Sequence, residues 1–215
     1  DIYDTDGRSI LFNPIKFNYI EIIEHILEYE SKNIGISLND MQDSSGFNPI
    51  HYAVFFKNID ALKLFKKYNK SFNVVNNELY LPLHLAVQTK NLPIFEFVLQ
   101  NTKDIDFQTK QGETSLHLSC TFIQKQMTKL LIDNNANANI QDFENEIIPL
   151  MYTILYNEYE LFDLLLQKTD LEIQDRNGFN ALHYCIRESV WDFIDKLVDK
   201  QIDLNTTNIE GHTPL

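Results

Sequence analysis

The sequence predicts an all-α solenoid of stacked helix-turn-helix units, and three observations predict it. The first is a recurring phrase. Gly46–Val54 reads G-F-N-P-I-H-Y-A-V, Leu79–Val87 reads L-Y-L-P-L-H-L-A-V, Gly112–Cys120 reads G-E-T-S-L-H-L-S-C and Gly178–Ile186 reads G-F-N-A-L-H-Y-C-I. A partial copy, P-L-M-Y-T-I, lies at Pro149–Ile154, a worn one, G-R-S-I-L, at Gly7–Leu11, and the opening of another, G-H-T-P-L, at Gly211–Leu215. The second is spacing: Leu11, Ile50, Leu83, Leu116, Leu150, Leu182 and Leu215 follow one another at steps of 39, 33, 33, 34, 32 and 33 residues. The third is an apolar stripe after each phrase, as at Ile22-Ile23 and Ile26-Leu27, at Met127 and Leu130-Leu131, or at Leu161-Phe162 and Leu164-Leu165. Spacings of i, i+3 and i+4 mark one buried helical face. Units repeating at this period stack so that each touches only its neighbours. Residues 1–215 therefore read as one array, with repeats at about 4–42, 43–75, 76–108, 109–141, 142–174 and 175–207 and a partial unit at 208–215. The interrupted last phrase is expected to continue in a longer polypeptide.

Within each unit the elements follow from residue chemistry. A turn comes first: Asp43–Gly46, Thr109–Gly112, Asp175–Gly178 and Asn208–Gly211. Asp and Asn open such turns by bonding to the backbone, and glycine supplies the positive φ. A short helix follows, with Pro49, Pro82 and Pro149 near its start, where a missing N–H costs nothing. Ala53, Ala86, Ser119, Thr153 and Cys185 are the small residues that let a neighbouring helix approach. The second, longer helix carries the apolar stripe, with Glu21, Asp60, Glu160 and Asp192 placed in the first turn against the helix dipole. His25 falls on that stripe in the first unit and is expected at a core or boundary position. Local departures predict local weakness. Six extra residues fall around Lys32–Asp40, Leu79 replaces the turn glycine of the third copy, one extra residue sits near Asn145–Ile148, and Pro14 interrupts the first short helix. The first and fifth units should be the least regular.

A period near 33 carrying T-P-L-H-x-A resembles the ankyrin repeat family, and the resemblance covers essentially the whole chain. It implies helix-turn-helix units joined by β-hairpin-like loops, with Asn137–Ile140 and Asp203–Asn205 as extended lead-ins to the next hairpin. It also implies structural roles for His51, His84, His117 and His183, which in the family hydrogen-bond within and between repeats, and for the turn glycines Gly46, Gly112 and Gly178. The family's binding surface is a concave face lined by hairpin tips and short helices. Carried across by motif position, its hairpin column is Arg8, Phe47, Tyr80, Glu113 and Phe179. Its second helix column is Phe17, Phe56, Thr89, Phe122, Tyr156 and Glu188, four aromatics in six slots where polar side chains would be ordinary. Aromatic rings are enriched at the centres of interfaces. The expected partner-binding residues are Phe47, Phe55, Phe56, Tyr80, Phe122, Leu155, Tyr156 and Phe179.

Catalytic chemistry finds no support in the motifs. There is no glycine-rich phosphate loop, no nucleophile elbow and no C-x-x-C pair. The four phrase histidines stand about 10 Å apart in successive layers, too far to share a zinc that needs bonds of about 2.0–2.1 Å. No cofactor, no metal and no enzymatic activity are expected. A formal net charge of −13 argues against a nucleic-acid partner and favours a basic one. No apolar run approaches the ~20 residues of a membrane helix, so no direct membrane insertion is expected. Cys120 and Cys185 lie two repeats apart, too far to bond, and buried thiols suit a reducing compartment. The expected function is a monomeric protein–protein interaction module, a scaffold or recruiter that takes an apolar or basic helix or peptide on its concave face. Its expected place is the cytoplasm, with the nucleus, or a host cytosol for a secreted effector, as alternatives. The competing reading is a targeting or regulatory segment of a larger enzyme, such as a small-GTPase regulator, a protein acyltransferase or a kinase.

Overall fold

The computed structural model describes residues 8–33 and 41–215; Gly7 and residues 34–40 of the expected first insertion lie outside them. The described residues form twelve helices and no strand, and the chain divides into two compact units, Asp1–Ile105 and Asp106–Leu215. The first unit contains α1 (Phe12–Lys16), α2 (Ile20–Lys32), α3 (Pro49–Phe55), α4 (Ile59–Lys67), α5 (Pro82–Gln88) and α6 (Leu92–Leu99). The second contains α7 (Ser115–Thr121), α8 (Lys125–Asp133), α9 (Pro149–Leu155), α10 (Tyr159–Leu166), α11 (Ala181–Arg187) and α12 (Trp191–Asp199). In the first unit α3 packs between α1 and α5, while α2 lies against α4; in the second, α9 packs between α7 and α11, while α8 lies against α10. Within each unit the short helices thus form one row and the long helices another. The interface between rows is apolar: Ile50, Val54, Leu62 and Phe65 in one unit, and Leu150, Ile154, Leu161 and Phe162 in the other, are all excluded from solvent. Ala53, Ala86, Ser119, Thr153 and Cys185 are fully buried in the short helices.

The phrase histidine is the third residue of its short helix and bonds in two directions. In the fourth repeat, Thr114 N–H donates to His117 Nδ1 at 3.1 Å, and His117 Nε2 donates to the Ile147 carbonyl, thirty residues away, at 3.1 Å. The Thr114 hydroxyl, 2.9 Å from Nδ1, completes the neutral tautomer. His51 makes the same bridge from Asn48 N–H (3.2 Å) to the Tyr80 carbonyl (3.0 Å), and His183 from Asn180 N–H (3.3 Å) to the His212 carbonyl (3.4 Å). His84 Nδ1 accepts from Leu81 N–H at 2.9 Å. In the fifth repeat Met151 holds this position, fully buried, and makes no such bridge.

A second strut lay unread in the sequence. Gln42, Gln108, Gln141 and Gln174 precede the turns, and each side-chain amide donates once to its own hairpin and once to the next repeat. Gln108 Nε2 donates to Gly112 O (2.7 Å) and Gln141 O (3.0 Å), Gln141 to Glu146 O (2.7 Å) and Gln174 O (2.8 Å), and Gln174 to Gly178 O (2.5 Å) and Thr207 O (2.9 Å). Backbone bonds join the hairpin tips themselves, as from Phe143 N–H to Gln111 O at 2.8 Å. Gly112 sits where these tips meet. Its φ is +82°, and a Cβ there would lie 2.3 Å from Phe143 N, so both conformation and crowding require glycine.

The departures resolve individually. α1 is five residues long against seven for the other short helices, with Pro14 buried inside it. Leu79 adopts φ +60° in place of the missing glycine. The extra residue of the fifth hairpin is absorbed between Asp142 and Ile147, whose backbone bond spans five residues rather than four, and Glu146 takes the left-handed slot at φ +59°. Two expectations are corrected. His25 is exposed, with Nδ1 donating to the Glu21 carbonyl at 2.7 Å, and Ile22 beside it is exposed too, because no element among the described residues covers the flank of the stripe that they occupy. The lead-ins at Asn137 and Asp203 are turns rather than extended segments, since Asn137 Oδ1 accepts Asn139 N–H (3.0 Å) and Asp203 Oδ1 accepts Asn205 N–H (2.9 Å). Cys120 and Cys185 are free and buried, and burial pushes both thiols up to about 12.

Short and long helices meet at a left-handed residue: Asn18, Lys57, Lys90, Ile123, Asn157 or Ser189. The bond from Gln124 N–H back to Ser119 O, at 2.8 Å, closes this turn in the fourth repeat. Only there is the residue β-branched, with φ +56° and 39% exposure. A β-branched side chain is strained in that region by about 1–2 kcal/mol, whereas asparagine tolerates it. Ile123→Asn is therefore expected to stabilise by about 1 kcal/mol, raising the melting temperature by about 2–4 °C, as thermal unfolding followed by circular dichroism would show. The histidine bridges give a pH signature. Burial lowers His51 and His117 from the ordinary 6.5 to about 4, outweighing the hydrogen bonds and carboxylates that act in the opposite sense. Between those values the unfolded chain binds more protons than the folded one, so stability falls as pH drops from 6.5 toward 4, by up to about 1.4 kcal/mol per pH unit for each ring. His117→Gln should be less stable at pH 7 yet show a shallower decline across that window in urea titrations.

Candidate partner-binding face

In each unit the hairpins and short helices carry aromatic clusters. In the first, Phe47, Phe55 and Phe56 come together around two residues that the motif columns had not included, Phe12 and Tyr52. Phe12 meets Tyr52 edge-on at 4.7 Å between ring centroids and Phe56 at 5.7 Å; Tyr52 stacks on Phe56 at 6.3 Å, and Phe55 meets Phe56 edge-on at 5.2 Å. Phe47 closes on Tyr52 at 5.8 Å. Tyr80 stands apart against His84, at 5.5 Å. Phe55 is 60% exposed, while Phe47, Phe56 and Tyr80 are half-buried. Packing and exposure therefore divide within one cluster: Phe56 is held on three sides and Phe55 offers its ring to solvent.

In the second unit, Tyr156 is 46% exposed and lies parallel to Tyr152 at 6.5 Å and 18°. Leu155, Phe122 and Phe179 are half-buried. Phe179 meets Tyr184 edge-on at 6.4 Å, and the Arg187 guanidinium lies 4.4 Å from the Tyr184 ring centre and 5.9 Å from that of Phe179. Phe122 makes no ring pair among the described contacts, so the expected aromatic column is a set of separate local arrangements.

The tyrosines missed by motif position belong to a device that the sequence does display. The turn-opening acid accepts the hydroxyl of the residue after the phrase histidine, or after the methionine that replaces it. Tyr152 donates to Asp142 Oδ2 at 2.8 Å, Tyr184 to Asp175 Oδ2 at 2.8 Å, and Tyr52 makes a short hydrogen bond to Asp43. The other oxygen of each acid takes the turn's backbone N–H groups, as Asp175 Oδ1 does from Asn177 (2.8 Å) and Phe179 (2.8 Å). Where the opener is Asn76 or Thr109, the partner position holds Leu85 or Leu118. Burial first, and then the hydrogen bond to its acid, raises the Tyr152 and Tyr184 phenols. Glu113, half-buried on the fourth hairpin, is raised by burial and then by the charges of Asp142 and Glu144. Among the described residues no cluster of His, Cys, Asp and Glu is arranged to hold a metal, and no helix is long and apolar enough to cross a membrane.

Comparison with known proteins places these features in a family. The family model described as ankyrin repeats matches residues 54–143, 83–175 and 150–215. An ankyrin repeat protein of Acanthamoeba polyphaga mimivirus is 34% identical over 203 residues, covering 94% of this chain but 26% of its own length. The Saccharomyces cerevisiae protein named as 26S proteasome regulatory subunit p28 is 26% identical over 195 residues, covering 88% of this chain and 84% of its own. Among solved structures, the ankyrin repeat domain of Bcl-3 superposes with a TM-score of 0.88 at 20% identity, over 97% of this chain and 93% of that domain. The chain thus spans about a quarter of the viral relative and most of the yeast one.

Proposed function

The chain belongs to the ankyrin repeat family, and on that premise we propose that it recruits a partner protein to the face built from its hairpins and short helices. Its relatives support the general role of a protein–protein interaction module. The observation that carries the choice of face is the exposure of Phe55 and Tyr156 on rings that are themselves braced from below by Tyr52, Phe56 and Tyr152. A braced, solvent-facing ring desolvates a large area with little loss of conformational freedom, which is the character of an interface anchor. No chemistry at the site requires the chain to be an enzyme, and binding alone accounts for its features. The buried free thiols of Cys120 and Cys185 support a reducing compartment, the cytosol, as the place of action. One observation favours a second reading, a targeting segment within a larger protein: the viral relative is about four times as long as the part matched.

Two exposed anchors separate binding from packing. Phe55→Ala with Tyr156→Ala is expected to leave the melting temperature within about 2 °C, since exposed side chains contribute little to the core. The same pair should abolish recovery of a partner in affinity capture from lysate of the source organism. Phe56→Ala, by contrast, should lower the melting temperature. Equal recovery by the wild-type chain and the double variant would move the binding site off this face.

A further inference from the structure

We propose that the second unit carries an arginine-receptor site, in which a guanidinium from an otherwise apolar peptide segment of the partner lies on the Tyr152 and Tyr156 rings and pairs with the Glu113 carboxylate. This rests on the preceding reading of the face and names the chemistry of what it binds.

The chain provides its own precedent one repeat further on. In the sixth repeat the Asp175–Tyr184 pair is covered by Arg187, whose guanidinium stands 4.4 Å from the Tyr184 ring centre while its Nε donates to Glu188 at 2.9 Å. A guanidinium held between a ring face and a carboxylate is therefore what this framework accommodates. The fifth repeat has the same framework, with Asp142 accepting from Tyr152 at 2.8 Å, but its residues in register with Arg187 and Glu188 are Leu155 and Tyr156. It has the rings and supplies no cation of its own.

A carboxylate is already in place. Glu113 is half-buried on the neighbouring hairpin, directly before Thr114, whose N–H donates to His117 Nδ1 at 3.1 Å, and the His117 ring meets that of Tyr152 edge-on at 6.1 Å; in that geometry the charge of Glu113 acts on Tyr152, and those of Asp142 and Glu144 act on Glu113. Asp142 is saturated: it takes Asn145 N–H at 2.9 Å, Ile147 N–H at 3.4 Å and the Tyr152 hydroxyl. Two cations of the same unit are engaged elsewhere, Arg176 with the Phe143 carbonyl (2.8 Å) and Glu146 (3.7 Å), and Lys125 with Glu160 (3.0 Å). Among the described residues none forms an ion pair with Glu113. Half-buried negative charge that acts on the half-buried Tyr152 ring, itself stacked on the exposed Tyr156, is completed by a cation that can both stack and fork. Guanidinium does so better than ammonium, being planar, more weakly hydrated and rich in donors. The half-buried Leu155 and Phe122 nearby in sequence register suit apolar residues flanking that arginine.

The test uses the whole chain and a probe of defined chemistry. A display library of random twelve-residue peptides is selected against the immobilised protein, and the recovered peptides are labelled and titrated by fluorescence anisotropy. The site predicts binders that carry an arginine, and a loss of about tenfold or more when that arginine is replaced by its neutral isostere citrulline. Glu113→Gln and Tyr156→Leu should each weaken the arginine peptide by a similar factor, while Glu113→Gln leaves the citrulline peptide unaffected; melting of both variants no lower than that of the wild-type chain excludes loss of binding through unfolding. Binders without arginine, or arginine peptides indifferent to Glu113→Gln, would overturn the site. If such binders are still lost on Phe55→Ala with Tyr156→Ala, the binding face stands and only its arginine chemistry fails. Binders indifferent to every one of these substitutions, or a library yielding none, would remove both.

Discussion

Within each compact unit, neighbouring repeats are held in register by hydrogen bonds that cross from one repeat to the next, and the rest of that unit's architecture depends on them. Two short helices cannot bury their own apolar faces, so burial requires a neighbour set at the right height. Apolar contact alone is tolerant of sliding. A histidine Nε2 aimed at one carbonyl is not, because a slip leaves a buried donor and a buried acceptor unpaired, at about 1–3 kcal/mol for each group. The fourth and fifth repeats show how strictly that register is kept. The fifth hairpin has one residue more than the others, yet the insertion bulges outward between Asp142 and Ile147, and Ile147 still presents its carbonyl to His117 at 3.1 Å. Gln141 bridges the enlarged turn to the next repeat as its counterparts bridge the smaller ones. The turn deforms and the bridge does not.

That hierarchy explains which features were legible in the sequence. A buried group with a fixed partner favours the same residue in copy after copy, with Met151 the exception at the histidine position, so the phrase, its period and its small residues announce the helices directly. Leu79, standing where glycine is usual, announces strain and adopts positive φ, whereas the extra residue near Asn145–Ile148 does not tell that Glu146 takes the left-handed slot. The glutamine column escaped notice although Gln108, Gln141 and Gln174 are spaced by 33, because a glutamine in a polar loop looks like any solvated residue. Nothing local reveals that its amide reaches two carbonyls, one of them 33 residues away. His25 went the other way. A helical stripe gives the direction of the core but not its width, which is set by the neighbours that pack there.

The candidate site was legible in outline only. Motif position puts Phe55, Phe56 and Tyr156 at the ends of their short helices, which is where the structure has them. It does not tell which ring braces which, since Phe56 is held by Phe12 and Tyr52 from different repeats while Phe55 is left open. Tyr52, Tyr152 and Tyr184 were visible through another signal, the pairing within this one chain of an acid turn-opener with tyrosine and of Asn76 or Thr109 with leucine. That correlation is physical: a buried carboxylate oxygen calls for a donor, and leucine has none to give.

The acidic charge of the chain also separates into two kinds. Asp43, Asp142 and Asp175 are spent on structure, each dividing its oxygens between turn N–H groups and a phenol. Their negative charge is compensated by donors and serves the fold whatever the protein binds. Glu113 lies half-buried in the field of Asp142 and Glu144 with no ion pair among the described residues, so the hairpin that carries it holds a cost that the fold itself does not offset. Folding could shed that cost by placing glutamine or threonine there, at no loss to any hydrogen bond described for its side chain. A charge kept where it opposes the local electrostatics, next to rings braced for contact, is more economically explained by what it meets in a complex than by what it does in the free chain.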